Sequence, residues 1–241
     1  MKLKINIKNL SKKFDEKVIF KNLNLKIFQS ESLAIIGQSG SGKSVLTKCI
    51  TGLLRFEKGE IFFDNDYEIS ELDNYNLLKH TAKFGFLFQN AALFDSLTVK
   101  ENILFKLNSS NYEEILNKVG LDKSISNKYP AELSVGVQKR VGLARAIISK
   151  PEILIFDEPT TGLDPIMAYQ INKLLKKLVV DYKLTTITIT HDMESVYEFA
   201  DKVAFIDQGS ISWYGKIGQI NLNKNKQLFN FINGINWKRE K

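Results

Sequence analysis

The chain has 241 residues, 44% hydrophobic and 25% charged, which is enough for one large domain with a sizeable core. Its formal net charge of +7 is scattered, with no basic block or arginine-rich stripe, so no nucleic-acid partner is expected. One cysteine, Cys49, excludes an internal disulfide, and no apolar run approaches the roughly 20 residues that cross a bilayer.

Residues 1–8 alternate polar and apolar, which reads as a strand with one wet face rather than a signal peptide, so the protein is expected in the cytosol. A first strand over 3–9 and a second over 21–27 are joined by a short polar loop, 11–17, and should pair antiparallel. Phe14 lies in that loop; it could stack on a base or be plain core. Residues 33–36, Leu-Ala-Ile-Ile, read as a buried strand. They run into Gly37-Gln38-Ser39-Gly40-Ser41-Gly42-Lys43-Ser44, which fits G-x-x-x-x-G-K-[ST], and residues 45–50 follow with helical spacing.

Strand, glycine loop and helix together point to a nucleoside triphosphate. Gly37, Gly40 and Gly42 let the backbone turn several N–H groups onto one anion, and the helix start adds its positive end. Lys43 would reach the β- and γ-phosphates, and Ser44 offers Mg²⁺ a hydroxyl oxygen. Cys49 falls on the apolar face of this helix, as a buried inert thiol.

Further along, 58–65 reads as turn, strand and turn, and 74–80 as a short helix in which His80 is taken as a surface residue. A buried strand over 83–88 stops at Gln89. The loop 91–99 is unusually apolar, either as a docking surface or as core, and Thr98 with Glu101 has capping-box spacing. Helices are expected over 111–119, 137–149, 165–180 and 193–200, and strands over 153–156, 185–190 and 203–207. Residues 227–237 are apolar at helical spacing, and no linker or internal repeat is visible. Apolar strands alternating with helices argue for an α/β fold with a largely parallel sheet.

In such a sheet, ligands gather at the carboxyl ends of the strands. Four strands here end in polar groups: the phosphate loop, Gln89, Asp157-Glu158 and His191. Asp157 can hold Mg²⁺ directly or through water, and Gln89 can ligate metal or water through its side-chain oxygen. Glu158 can polarise or deprotonate an attacking water, and His191 can reach the same phosphate.

With these residues the chain resembles the ATP-binding-cassette ATPases over nearly its full length. The segments that carry the resemblance are 37–44, Phe88-Gln89-Asn90, 133–137, 153–158, Gly162-Leu163-Asp164 and His191. The resemblance implies a P-loop NTPase cassette over 1–241, with an antiparallel N-terminal β subdomain, a helical subdomain at about 71–149 and a helical tail at about 224–241. It implies Phe14 as the aromatic that stacks on adenine, Glu158 as the catalytic carboxylate and Asp164 as a dimer-joining residue. Ser134 and Gly136 would bind the γ-phosphate of ATP held by a second copy, in a head-to-tail homodimer. The family pattern Leu-Ser-Gly-Gly-Gln is interrupted here by Val135 and Val137.

Residues 88–99, 140–146 and 159–166 are similar to the Mla-type (toluene-tolerance) phospholipid-transporter ATPases of double-membraned bacteria, as are residues 229–234. That similarity implies a place on the cytoplasmic face of the inner membrane. It also implies a polytopic permease, a periplasmic lipid-binding protein of the Mce type and a small cytosolic accessory protein. A small-solute importer ATPase would use the same motor with another permease. A soluble cassette protein acting on ribosomes or DNA usually carries two cassettes or a coiled-coil insertion, and neither is present here.

Overall fold

The computed structural model describes residues 2–105, 107, 111–222 and 224–234. In chain order the elements are β1 (Leu3–Phe14), β2 (Lys17–Phe28), β3 (Ser32–Ile36), α1 (Lys43–Ile50), β4 (Lys58–Phe63), β5 (Tyr67–Glu68), α2 (Asn74–Thr81), β6 (Phe84–Leu87), α3 (Val99–Leu104), α4 (Tyr112–Lys118), α5 (Val135–Ile148), β7 (Ile153–Asp157), α6 (Pro165–Tyr182), β8 (Thr185–Ile189), α7 (Met193–Phe199), β9 (Lys202–Asp207), β10 (Ser210–Lys216) and α8 (Lys226–Ile232). The chain divides into two compact units, one of residues 1–81 with 189–241 and the other of residues 82–188. The first unit holds α2, and the second holds β6, α3 to α6 and β7.

In the first unit, β2-β1-β4-β5 form an antiparallel sheet in that order. β1 and β2 are longer than expected, and Phe14 ends a strand, paired with Lys17 across a tight hairpin, instead of sitting in a loop. The alternation of β1 buries Ile5, Ile7 and Leu10 on one face. A second group of strands runs β10-β9-β3, with β3 parallel to β9 and β10 antiparallel to it. All five residues of β3 are buried, as befits a parallel strand covered on both faces. Around it, Ala34, Ile36, Val203 and Phe205 pack with Val196 of α7 and Leu228 of α8. The sequence reading lacks β10, whose alternate residues are only half-buried. The expected C-terminal helix is α8; its projected end at Trp237 lies outside the described residues.

His80 is a correction. It is buried, not on the surface: Nε2–H donates to the Ile50 carbonyl at 2.9 Å, and Nδ1 shares a hydrogen bond with the Tyr67 hydroxyl at 2.8 Å. It therefore ties α2 to the end of α1 and to β5. Cys49 is buried as expected, and burial pushes its thiol up to about 11.

In the second unit the strand order is β8-β7-β6, with β6 parallel to β7. β7 and β8 are buried apart from the last residue of β7, Asp157. The expected capping box is present: Glu101 N–H donates to Thr98 Oγ1 at 3.3 Å, and Thr98 N–H to Glu101 Oε2 at 2.8 Å. α6 starts on Asp164, which accepts from Met167 N–H at 3.0 Å, with Pro165 in its first turn. Among the described residues no helix is long and apolar enough to cross a membrane.

Candidate functional site

The phosphate loop leaves β3 at Gly37 and enters α1 at Gly42. Each glycine answers a different constraint. A Cβ on Gly37 would lie 2.5 Å from the Ile206 carbonyl oxygen, so the loop presses against the end of β9. Gly42 is the N-cap of α1 at φ 100°, and a Cβ there would sit 2.7 Å from Phe20 and 2.8 Å from Ile19. Gly40 has φ +77° with nothing within 4 Å of its missing Cβ, so its left-handed turn faces open space.

Lys43, buried at the start of α1, folds its ammonium back onto the loop, donating to the Gly37 carbonyl at 2.7 Å and the Gln38 carbonyl at 3.0 Å. The first intrahelical bond runs from Leu46 N–H to the Gly42 carbonyl at 2.9 Å, so the preceding N–H groups have no intrahelical acceptor. Ser41 Oγ is buried inside the loop with no hydrogen-bond partner. A cationic side chain, a helix start and an orphaned hydroxyl in one loop fit a polyphosphate. Ser44, one residue into the helix, is exposed.

Two more features of the first unit border this loop. Thr190 N–H donates to the Ile35 carbonyl at 3.4 Å, so the chain emerges beside the end of β3 and delivers the exposed His191 there. A cavity of about 330 Å³ lies against the loop, lined by Ile19, Ser39, Gly40, Asp207 and Gly209, with Lys17 on its wall. Phe14 pairs with Lys17 across the hairpin and is 43% exposed, which excludes the plain-core alternative. The Lys12 ammonium lies 4.9 Å from the centre of its ring and pairs with Glu57 at 2.6 Å.

The second unit holds the other expected residues. Gln89 follows the end of β6 and is exposed. Asp157 ends β7, and Glu158 takes a left-handed turn at φ 49°. Thr161 steadies that turn, its N–H donating to the Glu158 carbonyl and its hydroxyl to Glu158 Oε2, both at 3.2 Å. A non-glycine residue in this conformation stores strain, a feature that clusters at active sites.

Ser134 is the N-cap of α5, in extended conformation, and its hydroxyl makes no capping bond. Val135 is the first helical residue, 50% exposed, and is absent from the positive-φ residues, so the valine sits on ordinary helical backbone. Gly136 has a different requirement: a Cβ there would overlap Met167 Cε on α6. A side chain at the second glycine of the motif would thus displace the tip of Met167, whereas the valine at the first meets no backbone restriction.

Sequence reasoning missed three side chains that hold these loops. Arg145 donates to the carbonyls of Ala91 at 2.7 Å and Ala92 at 2.8 Å, both residues having positive φ. Asn102, fully buried, accepts from Phe94 N–H at 2.8 Å and donates to the carbonyls of Phe94, Leu97 and Thr98 at 2.9–3.1 Å. Lys139 is buried between the carbonyls of Gln89 and Glu158. Arg145 and Lys139 act on backbone 50 or more residues away, and Asn102 on the loop just before its own helix, and no local motif signals any of the three.

The loop, its cationic helix start and the adjoining cavity define a nucleoside-triphosphate-binding protein. The ABC transporter family model matches residues 20–161, and the chain belongs to that family. It is 37% identical over 245 residues to the L-cystine import ATP-binding protein TcyC of Bacillus subtilis, covering 96% of this chain and 98% of that one. It is 35% identical over 239 residues to the intermembrane phospholipid transport system ATP-binding protein MlaF of Haemophilus influenzae, covering 95% and 90%. Among solved structures, a dimeric post-hydrolysis state of the cassette MJ0796 bound to ADP and Pi matches with a TM-score of 0.78 at 33% identity, covering 88% of this chain and 98% of that one. The fold is the ABC cassette form of the P-loop NTPase, and the chain is the ATP-hydrolysing motor subunit of an ABC transporter.

Proposed function

We propose that this motor drives phospholipid movement between the inner and outer membranes, from the cytoplasmic face of the inner membrane, as a homodimer docked on a polytopic permease. The observation that carries the docking is the segment from 88 to 99. Phe94 is 45% exposed and stacks on Phe105 with ring centres 4.6 Å apart, while Asn102 and Arg145 fix the backbone beneath it. An exposed aromatic ring on a pinned loop, stacked on a second exposed ring at the end of α3, suits a protein partner. The sequence of the same segment is what resembles the phospholipid branch, and similarity to the Haemophilus protein along nearly its whole length supports the substrate. A periplasmic lipid-binding protein of the Mce type and a small cytosolic accessory protein would complete the assembly.

In this reading the loop from Gly37 to Ser44, with Gln38, Ser39 and Ser41, cradles the phosphates, and Phe14 stacks on adenine. Ser44, Asp157 and Gln89 would be the oxygen ligands offered to Mg²⁺, which would supply charge neutralisation to the nucleotide. Glu158 orients the attacking water and accepts its proton, and His191 contacts the γ-phosphate. Ser134 and Gly136 of a second copy close over the same phosphate, with Asp164 beside the join. The test is Glu158→Gln: it should bind ATP yet turn over at least about a hundredfold more slowly, about 2.7 kcal/mol in the barrier, and accumulate as an ATP-loaded dimer in light scattering. Loss of ATP affinity with no dimer would reject Glu158 as the catalytic residue.

A second reading, import of an amino acid, has its own support in the slightly higher identity to the cystine importer subunit. Tagged purification from membranes separates the two. Co-purified phospholipid and detergent sensitivity on disruption favour the first, and ATPase activity stimulated by an amino acid and its binding protein favours the second.

A further inference from the structure

Lys139 lies in the second turn of α5 and is 1% exposed, among the largest fully buried side chains of the protein. Its ammonium donates to the Gln89 carbonyl at 2.5 Å and makes a longer contact, 3.4 Å, with the Glu158 carbonyl. Burial pushes its pKa down, while the charges of Glu158 and Asp157 push it up. A buried ammonium held by neutral carbonyls is an expensive way to fill space, since an apolar side chain of similar length would pack there without desolvating a charge. What the ammonium adds is direction: it fixes the backbone at two loop residues that come from two different strand ends. One of them, Glu158, sits in left-handed conformation at φ 49°, and its carbonyl, already held by Thr161 N–H at 3.2 Å, takes its second contact from Lys139.

We propose that Lys139 is a positioning residue for hydrolysis, by which α5 sets the backbone of Gln89 and Glu158 and thereby the aim of their side chains. The proposal rests on the roles given above to those two residues. It extends them, because the N-cap of the same helix is Ser134, five residues and about 7.5 Å along the axis from Lys139. A displacement of α5 when Ser134 engages the nucleotide of a second copy is carried by Lys139 to the metal and water residues of its own chain. The two nucleotide sites of the dimer are then linked through one helix turn and a half, with no separate relay.

The experiment compares the full-length chain with Lys139→Met and Lys139→Gln, and with Glu158→Gln in parallel. Lys139→Met should lower kcat about tenfold or more while ATP affinity, read with a fluorescent ATP analogue, stays within about twofold. Lys139→Gln, whose amide can still donate to one carbonyl, should recover kcat to within about threefold of the unaltered chain. Lys139→Leu serves if methionine disturbs the packing. The proposal is overturned if Lys139→Met keeps its kcat, if kcat, affinity and thermal stability all fall together, or if glutamine restores nothing. Unaltered turnover in Glu158→Gln instead removes the assignment of Glu158, and the proposal with it, whatever the lysine variants do.

Discussion

Gly42→Ala tests the phosphate loop through its packing. At φ 100° an L-residue is held in left-handed conformation, which costs about 1–2 kcal/mol. The added methyl would also lie 2.7–2.9 Å from Phe20 and Ile19 atoms, and Phe20 is 1% exposed, so its ring has nowhere to move. Overpacking of this kind costs about 1–3 kcal/mol. Together the two predict a destabilisation of about 3 kcal/mol, or about 6–12 °C in Tm for a chain of this size. Gly40→Ala is the internal control, since φ +77° imposes the first cost but nothing lies within 4 Å to impose the second. Urea and thermal unfolding of both variants, with and without MgATP, separate the two contributions. Gly42→Ala should also lose most of the stabilisation by ATP, because relieving the overlap moves the first turn of α1 and its N–H groups. Equal destabilisation of the two variants, or a full ATP-induced shift in Gly42→Ala, would refute the reasoning.

Lys43→Ala should abolish tight MgATP binding and turnover together; near-normal turnover would reject the phosphate site. Ser134→Ala should slow hydrolysis by the dimer more than Val135→Gly does, because the valine occupies ordinary helical backbone. Restoration of activity about tenfold or more by Val135→Gly would instead mark the motif as degenerate, and ATPase assays of the assembled transporter decide it. Leu93→Glu with Phe94→Glu should release the chain from membranes while leaving nucleotide binding intact. Unfolding of that double variant, seen by circular dichroism, would identify the loop as core.

The phosphate loop and the strand-end carboxylates were legible in the sequence because each is a local pattern whose chemistry needs its spacing. Thr98 with Glu101 was legible for the same reason. The roles expected of Gln89, Glu158 and His191 were read from their places at strand ends and those of Ser134 and Asp164 from the family pattern, while the structure supplies their immediate surroundings. Asp164, for example, caps α6 through Met167 N–H, a duty the motif does not announce. His80 was misread because its partners, Tyr67 and the Ile50 carbonyl, are 13 and 30 residues away in the chain. β10 escaped notice because an edge strand with half-buried alternate residues has little apolar signal. Lys139 and Arg145 looked like ordinary surface cations until α5 placed them against loops 50 or more residues distant.

The first unit is not contiguous in the chain, and this orders events on the ribosome. β3 takes its parallel partner from β9, Leu33 facing Lys202, and Ser32 N–H is held by Asp201 Oδ2 at 2.8 Å across 169 residues. The intervening unit, 82–188, is one uninterrupted stretch. During synthesis it can gather its own core while the nucleotide-gripping strand still waits for an unmade neighbour. A nascent chain arrested before β9 should therefore carry the whole phosphate-loop sequence yet fail to retain ATP, and arrest well beyond β9 should restore retention. Competence to use fuel would then arrive only near the end of translation, after the second unit is already shaped.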